Sequence, residues 1–495
     1  MTIKNTTEII GWAKESLLAK GYIINSPPET IQTTPWSSVT KFLTSKGAVY
    51  LKQTPPMLAL EPIVTKILHD QLHANVPEIL DSNKNLNCFL MKDSGNSSLR
   101  EFLKHIFQPD LLCQAIKKYT CIQAAAREHI NTFLEIGVPD WRLEKLPLLY
   151  NELISKEDLL KTDGLTANEL KLLHELYPTL LSMCEKLSNY KIPQTLDHCD
   201  FHDNNILIES NTHNITIIDW GETVITHPFF SLLTLLNTAA YHYMLKETDQ
   251  TYIDLQNTCF ENCFEILPKN DLRAAVLLAK KLWPIYAALG FYRLTISCSE
   301  PEGFKSLAGR LTRYLKEFIK INIAKISFKK FVQQDLALFF AWTKKPHVKN
   351  TWFINGYESI DKYSEKIKGN GYDYSFIIYI DDKPIGYIQC SDLYAYKTLC
   401  PNPKGIFINE EPGIFCLDLF IGEEEYLNKG YGTKIVKLFV GKLFAEFKAK
   451  KILIDPACSN KRAIRCYEKA GFKFLRKEHD GVTESCIMEF TSNKP

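Results

Sequence analysis

Asp200, Asn205 and Asp219 carry side-chain oxygens and are spaced five and fourteen residues apart. Between the last two lie two short apolar runs, Ile206 to Ile208 and Ile215 to Ile218, separated by a polar stretch with Asn211 and Asn214. Apolar runs bounded by such turn residues predict a β-hairpin. A hairpin brings its outer ends together, so Asp200 and Asn205 before it are predicted to converge with Asp219 after it. Two carboxylates and an amide oxygen make a hard, oxygen-rich site suited to Mg²⁺ carrying phosphates. A carboxylate that does not bind the metal is left to receive or orient an acceptor hydroxyl, as phosphoryl transfer requires.

The elements that must position this set begin upstream. Apolar spacing predicts a helix over 6–22 and strands over 30–34, 38–43 and 48–53, with Thr44 to Gly47 as a turn. Lys52 lies in the third strand, and Glu61 heads an apparent helix over 61–69. A strand over 87–91 and a turn, Lys92 to Gly95, follow. The pattern is helical from Leu99 to about Leu187 and again from Phe229 to about Ile323.

Residues 197–221 resemble the catalytic and metal-binding segments of the aminoglycoside phosphotransferase family, relatives of the protein kinases. The resemblance implies a two-lobed, protein-kinase-like domain over 1–322 that uses ATP (or GTP) and Mg²⁺. It implies Asp200 as catalytic base, Asn205 and Asp219 as metal ligands, and His198 as a brace of the loop. It implies further that Lys52, paired with Glu61, holds the α- and β-phosphates, and that Lys92 to Gly95 is the hinge that meets the nucleobase. Four places depart from the family. Cys199 stands where Gly often follows the His, and Asp203-Asn204 where Pro-Gly often precedes the Asn. Ser231 follows His227-Pro228 where an Asp is common. Gln32 to Ser38 replaces a glycine-rich loop, with Ser37 and Ser38 small enough to bring backbone N–H groups to phosphates.

The C-terminal third has its own centre. Ile414 to Ile421 reads as a strand carrying Asp418, followed by Leu427 to Thr433 with two glycines and then by an amphipathic helix. A strand, a glycine turn and a helix form an anion cradle. A buried-type strand, Ile452 to Ile454, ends at Asp455. Ser459-Asn460 can cap the next helix, which carries Tyr467 and stops at Gly471-Phe472. An amine must lose a proton before it attacks an acyl carbon, so a nearby carboxylate is useful. Glu410, Glu411, Asp418 and Asp455 are candidates, and the same acids can bind a cationic substrate. Trp352 and Tyr372 are candidate stacking walls for a sugar.

This set resembles the GNAT acetyltransferase superfamily. Asn460 to Phe472, Asp335 to Trp342, Lys383 to Tyr387 and Glu411 to Asp418 look specifically like the aminoglycoside 6′-N-acetyltransferases. The resemblance implies a GNAT domain over 324–495. In it Leu427, Asn428, Lys429, Gly430, Tyr431, Gly432 and Thr433 bind the acetyl-CoA pyrophosphate. Asn460 holds the pantetheine arm, Tyr467 protonates the leaving thiolate, and Asp418 receives or orients the amine. Leu427 departs from the Gln or Arg usual at that position.

At 495 residues the chain exceeds one core, and its expected class is α+β followed by α/β. The composition, 45% hydrophobic and 23% charged with a net charge of +2, shows no mark of a nucleic-acid or membrane-surface role. The first residues lack the apolar core of a signal peptide, and no apolar run approaches the ~20 residues of a membrane span. The 14 cysteines form no C-x-x-C pair, which predicts reduced thiols in a cytoplasm. The whole predicts a bifunctional enzyme that phosphorylates hydroxyls and acetylates amines of a small polycation, an aminoglycoside. Two alternatives stand beside it: a fusion serving another pathway, such as siderophore hydroxylamine acetylation, and a kinase-like binding module on an active acetyltransferase.

Overall fold

The computed structural model of the chain describes residues 6–95, 97–263, 267–297, 305–352, 360–479 and 483–491. It forms two compact units, Met1–Ile323 and Ala324–Pro495. The helix Arg310–Asn322 closes the first and the strand Ile326–Lys330 opens the second.

In the first unit an antiparallel sheet runs in the order β1-β2-β3-β5-β4. Its strands are β1 (Glu29–Thr33), β2 (Ser38–Thr44), β3 (Gly47–Gln53), β4 (Ile79–Asn83) and β5 (Cys88–Lys92). The helix Thr6–Ala19 buries Ile9, Ala13 and Leu17 against Phe42, Val49, Leu51 and Leu90 of this sheet. Lys52 sits in the central strand, with Val39 and Phe89 as its neighbours across β2 and β5. The helix Glu61–Asp70 follows, with Glu61 in its first turn.

The rest of the unit is mainly helical. The predicted helical stretch from Leu99 is broken into six pieces, the longest being Pro109–Ala126 and Ala167–Ser188. The second of these starts in a capping box between Thr166 and Glu169. Four short strands sit among the helices: β6 (Ser97–Ser98), β7 (Thr195–Asp197), β8 (Ile206–Ile208) and β9 (Ile215–Ile217). β8 and β9 form the expected hairpin, with Ile206 opposite Ile217. A further strand, β10 (Val224–Thr226), pairs antiparallel with β7, so the chain before the hairpin is tied to the chain after it. Four helices, Phe229–His242, Gln250–Phe260, Lys269–Ser297 and Arg310–Asn322, complete the core. Lys269–Ser297 is long and apolar enough to cross a membrane, but most of its apolar window is buried inside this unit.

The second unit is a seven-stranded sheet in the order β11-β12-β13-β14-β15-β17-β16. The strands are β11 (Ile326–Lys330), β12 (Asp373–Ile380), β13 (Lys383–Asp392), β14 (Ile414–Ile421), β15 (Lys451–Ile454), β16 (Lys473–His479) and β17 (Glu484–Thr491). All neighbours are antiparallel except β14 and β15, which pair in parallel. That parallel pairing covers only Ile414 to Cys416, whereas β14 runs on to Ile421 beside β13. The two strands therefore part, and the gap becomes a cleft. β13 and β14 approach closely at Gly386, where any Cβ would lie 2.3 Å from the Phe420 carbonyl oxygen.

The expectation of reduced thiols throughout is corrected here. Cys458 and Cys486 are joined in a disulfide, with their Cα atoms 5.2 Å apart. They are separated by 28 residues, so no local spacing announces them. The β15–helix loop and β17 bring them together, with Cys458 donating its N–H to the Glu484 carbonyl. The ten other described cysteines are free thiols.

Two candidate active sites

The hairpin does close its ends. The Ile218 N–H donates to the Asn205 carbonyl at 3.0 Å. The Asn205 Nδ2 donates to both the carbonyl and the Oδ2 of Asp200, each at 2.9 Å. With its N–H₂ group so committed, the amide leaves its oxygen as the free coordinating atom. Asp219 has φ 70°, a left-handed turn that a non-glycine residue adopts only under constraint. Its Oδ1 accepts from Lys52 Nζ at 2.6 Å, and the same ammonium donates to Glu61 Oε1 at 2.8 Å. Burial disfavours charge on Lys52, but the two carboxylates outweigh it and raise its pKa, so the ammonium persists.

Asn205 and Asp219 offer one amide oxygen and one carboxylate. Among the described residues no group of three or more His, Cys, Asp or Glu is arranged to hold a metal. Two hard oxygen donors nevertheless suit Mg²⁺, which takes few protein ligands and completes its shell with phosphates and water. The donor set therefore fits a nucleotide-borne cation and not a cation bound by the protein alone.

His202 escaped the sequence reading, although it stands two residues after Asp200. Its Nε2 lies 3.3 Å from Asp200 Oδ1. Burial raises the cost of ionising Asp200, but His202, His198 and the Asn205 amide more than offset it and hold the carboxyl below its ordinary range. His198 is fully buried and donates from Nε2 to the Ile218 carbonyl at 2.8 Å, bracing the loop against the end of the hairpin.

Three of the four departures from the family have a structural answer. Cys199 has φ 70°, which explains why glycine suits that position. Asp203 is buried, accepts from Arg100 Nη2 at 2.6 Å and from the Tyr243 hydroxyl at 2.5 Å, and so fixes the turn before Asn205. Ser231 donates to Asp197 Oδ1 at 2.6 Å and accepts from the Cys199 N–H at 3.1 Å. Tyr286 also donates to Asp197. The carboxylate that anchors the loop thus comes from the residue before His198 instead of from the helix. The fourth expectation needs correction. The N–H groups of Trp36 and Ser37 donate to Thr34 Oγ1 at 3.2 and 3.0 Å, so the Ser37 N–H is engaged within its own turn.

A cavity of about 780 Å³ joins these parts. Gln32, Thr34, Trp36 and Ser37 line it on the β1–β2 side, with Lys52, Glu61, Asp200, His202, Asp219 and Glu222 beyond. Residues of the helices Phe229–His242, Lys269–Ser297 and Arg310–Asn322 form the remaining wall. The turn Lys92 to Gly95 is not part of its lining.

The second unit holds a cavity of about 450 Å³ in the cleft where β14 leaves β15. Leu419 to Ile421 form one wall, and Leu427, Asn428, Gly430, Gly432 and Thr433 form the next. Gly430 (φ 79°) is the N-cap of the helix Tyr431–Glu446, and no side chain caps that end. Its first N–H groups and the helix dipole are available to an anion. Lys429 and Tyr431 do not line the cavity; Tyr431 packs its ring against Tyr426. Asn460 does line it, and its Oδ1 caps the helix Lys461–Ala470 by accepting from the Ala463 N–H at 3.1 Å. The side-chain amide N–H₂ is left as the donor.

Tyr467 lines the same cavity and is 8% exposed. Burial, then the charge of Asp418, pushes its pKa well above the ordinary value, so the hydroxyl keeps its proton. Asp418 is half-buried in β14 and accepts from Gln389 Nε2 at 3.3 Å. Neither Asp418 nor Asp455 is on the cavity wall, though both act electrostatically on Tyr467. Glu410 and Glu411 lie before β14 and also stay off the wall. The stacking expectation for Trp352 is corrected: its ring packs edge-on against Phe420 (5.1 Å) and Tyr387 (6.1 Å) within an aromatic core and does not line the cavity. Tyr372 likewise makes an edge contact with Tyr396. Arg462, Arg465 and Lys469 line the cavity and were not singled out from sequence. Their spacing along one helix was the available signal.

Residues 36–256 match the phosphotransferase enzyme family, and residues 332–480 match the acetyltransferase (GNAT) domain. An aminoglycoside N(6′)-acetyltransferase type 1 of Klebsiella pneumoniae is 30% identical over 155 residues, which is 30% of this chain and 74% of the relative. A spermine/spermidine N(1)-acetyltransferase of Bacillus subtilis is 32% identical over 92 residues, 19% of this chain and 60% of the relative. The solved structure of the aminoglycoside acetyltransferase AAC(6′)-Ib with coenzyme A and kanamycin is similar at 27% identity. It covers 34% of this chain and 95% of its own, with a TM-score of 0.30.

Proposed function

The chain belongs to the phosphotransferase enzyme family through residues 36–256 and to the GNAT acetyltransferases through residues 332–480, and from that premise we propose a bifunctional enzyme with two separate sites. The first unit moves a phosphoryl group from Mg-ATP (or Mg-GTP) to a hydroxyl. Asp200 accepts the hydroxyl proton, Asn205 and Asp219 hold Mg²⁺, and Lys52, kept in place by Glu61, holds the phosphates. The nucleotide supplies the phosphoryl group and the cation neutralises its charge. The observation that carries this half is the Asn205 amide: it orients Asp200 with its nitrogen and leaves its oxygen for the metal.

The second unit acetylates an amine with acetyl-CoA. Leu427, Asn428, Gly430, Gly432 and Thr433, with the uncapped helix end after Gly430, take the pyrophosphate, and Arg462, Arg465 and Lys469 add charge complementarity. Asn460 holds the pantetheine arm and Tyr467 returns a proton to the thiolate. Asp418 draws the amine, with Asp455, Glu410 and Glu411 contributing negative charge around it. We assign an aminoglycoside amine of the 6′ type as substrate, a reading supported by the relative at 30% identity. Incubating the purified chain with acetyl-CoA and kanamycin, with spermidine in parallel, and following thiol release tests it. Acetylation of kanamycin is the expected result; exclusive acetylation of spermidine would move the assignment to linear polyamines.

A further inference from the structure

The helical wall of the larger cavity has a chemistry of its own. Phe291 and Tyr314 stack at 5.4 Å and 19°, and Trp283 meets Tyr314 edge-on at 5.4 Å. Arg310 lies over Phe291 with its Cζ 5.9 Å from the ring centre, and Arg313 lies over Tyr314 at 5.8 Å. All five residues line the cavity. The two arginines are three apart, hence on one face of the helix Arg310–Asn322. Neither forms an ion pair with a carboxylate among the described residues.

The carboxylates of the same cavity are otherwise engaged. Glu61 and Asp219 share Lys52, and Asp200 faces His202. Glu222 sits beside Arg293, whose Nη1 donates to the Glu222 carbonyl at 2.9 Å. Only Glu317 stands beside the two guanidinium groups on that helix. Tyr314, both arginines and Asp200 line the same cavity, so this wall and the proposed base open onto one space. A polycation docked here would meet two like charges, whereas guanidinium groups held over aromatic faces suit a carboxylate or phosphate carried on a ring.

We propose that the acceptor of the phosphotransferase unit is a small hydroxylated molecule bearing a carboxylate or phosphate, bound by Arg310 and Arg313 against the Trp283–Phe291–Tyr314 wall. The inference rests on the kinase reading above and separates the two activities by substrate: the unit that acetylates a polycation is joined to one that phosphorylates an anion. In the transfer, the acceptor oxygen bonds to the γ-phosphorus and the bond from that phosphorus to the β–γ bridging oxygen breaks. ADP leaves with the electron pair, and the acceptor's proton passes to Asp200.

The test is ADP release by the full chain in Mg-ATP with kanamycin, sugar acids such as glucuronate, and sugar phosphates such as glucose 6-phosphate as acceptors. At least one anionic acceptor is expected to be phosphorylated, with a kcat/KM about 10-fold or more above that of kanamycin. The sugar-acid and sugar-phosphate arms tell carboxylate from phosphate. In the double variant Arg310→Glu, Arg313→Glu the KM for that acceptor should rise by about 10-fold or more, the size expected of a reversed charge contact. Calorimetric affinity for Mg-ATP and the acetylation of kanamycin should stay unchanged, which certifies the fold of the variant. Kanamycin as the better acceptor, no turnover of any anionic acceptor, or an unchanged KM in the double variant would each overturn the proposal. Failure of the wild type to bind Mg-ATP at all is a different result and would sink the kinase reading itself.

Discussion

Lys52 Nζ lies 2.6 Å from Asp219 Oδ1, joining the third strand of the sheet to the residue that follows the hairpin, 167 positions later. The same ammonium is held by Glu61, and both side chains of the Lys52–Glu61 pair are less than a tenth exposed. Removing one partner of a buried pair leaves an uncompensated charge, at a cost of about 3–5 kcal/mol. Glu61→Ala leaves Lys52 paired with the half-exposed Asp219, so it should destabilise the first unit by less than that, about 1–3 kcal/mol, whereas Lys52→Met with Glu61→Met should recover most of the loss. Urea unfolding of the three variants measures it. A Glu61→Ala loss below about 1 kcal/mol would mean that Asp219 alone satisfies the lysine.

Asp200 and Asp219 should fail in different ways. Asp200→Asn keeps the shape of the loop and removes the proton acceptor, so turnover falls by about 10²–10⁴-fold while Mg-ATP binds nearly as before. Asp219→Ala removes a carboxylate from a hard cation and should lose Mg-ATP affinity. Calorimetry with Mg-ATP decides between the roles: equal losses of affinity in both variants would show them wrongly divided.

The Asp200–His202 contact has a pH signature. His202 is raised above its ordinary pKa: burial opposes the charge, and the Asp200 carboxylate overcomes it. A group raised in the folded state stabilises fully below its unfolded pKa, about 6.5, and the benefit is lost as pH rises through the folded value. Asp200 is lowered, so its share is present above its unfolded pKa, about 3.9, and disappears as pH falls through the folded value. The pair therefore contributes most between about pH 4 and 6.5. In Asp200→Asn the His202 proton resonances should titrate at lower pH than in the wild type. An unchanged midpoint would remove Asp200 as the cause.

On the acetyl-transfer side, Tyr467→Phe keeps the buried ring and deletes the proton donor. It should lower the acetylation rate with little change in the KM for acetyl-CoA. Because the Tyr467 hydroxyl stays protonated well beyond its ordinary pKa, the alkaline limb of the wild-type pH profile should persist in the variant. Asp418→Ala should instead weaken binding of a cationic amine and slow its deprotonation, the latter by about 10²–10⁴-fold. Steady-state acetylation followed by thiol release reads both, and wild-type rates in Asp418→Ala would remove that carboxylate from the mechanism.

The layout of the first site was legible because it sits on short-range signals. A hairpin between Asn205 and Asp219 and a lysine in a third strand are both visible in a few residues of pattern. What escaped depends on distant contacts. β7 and β10 are three residues each and exist because they pair with one another. The role of Asp197 follows from Ser231 and Tyr286, which lie 34 and 89 positions away. Cys458 and Cys486 gave no spacing to read, and Trp352 looked available for stacking until Phe420 and Tyr387 were seen to surround it. The arginines on the last helix of the first unit carry no local signal, because only the fold sets them over Phe291 and Tyr314.

The parting of β14 from β15 after Cys416 leaves a length of main chain, Leu417 to Phe420, with no strand on that side among the described residues. Such an edge is a vacancy in a ladder, and a partner that carries amide groups in an extended arm can occupy the missing rung. Recognition of this kind is spoken by the backbone and is deaf to side chains. The main-chain groups of Leu417 to Phe420 serve such an arm whatever side chain Leu419 is exchanged for, whereas Phe420 is held by the aromatic core around Trp352 and Tyr387. Proline is the exception, because it silences a donor outright.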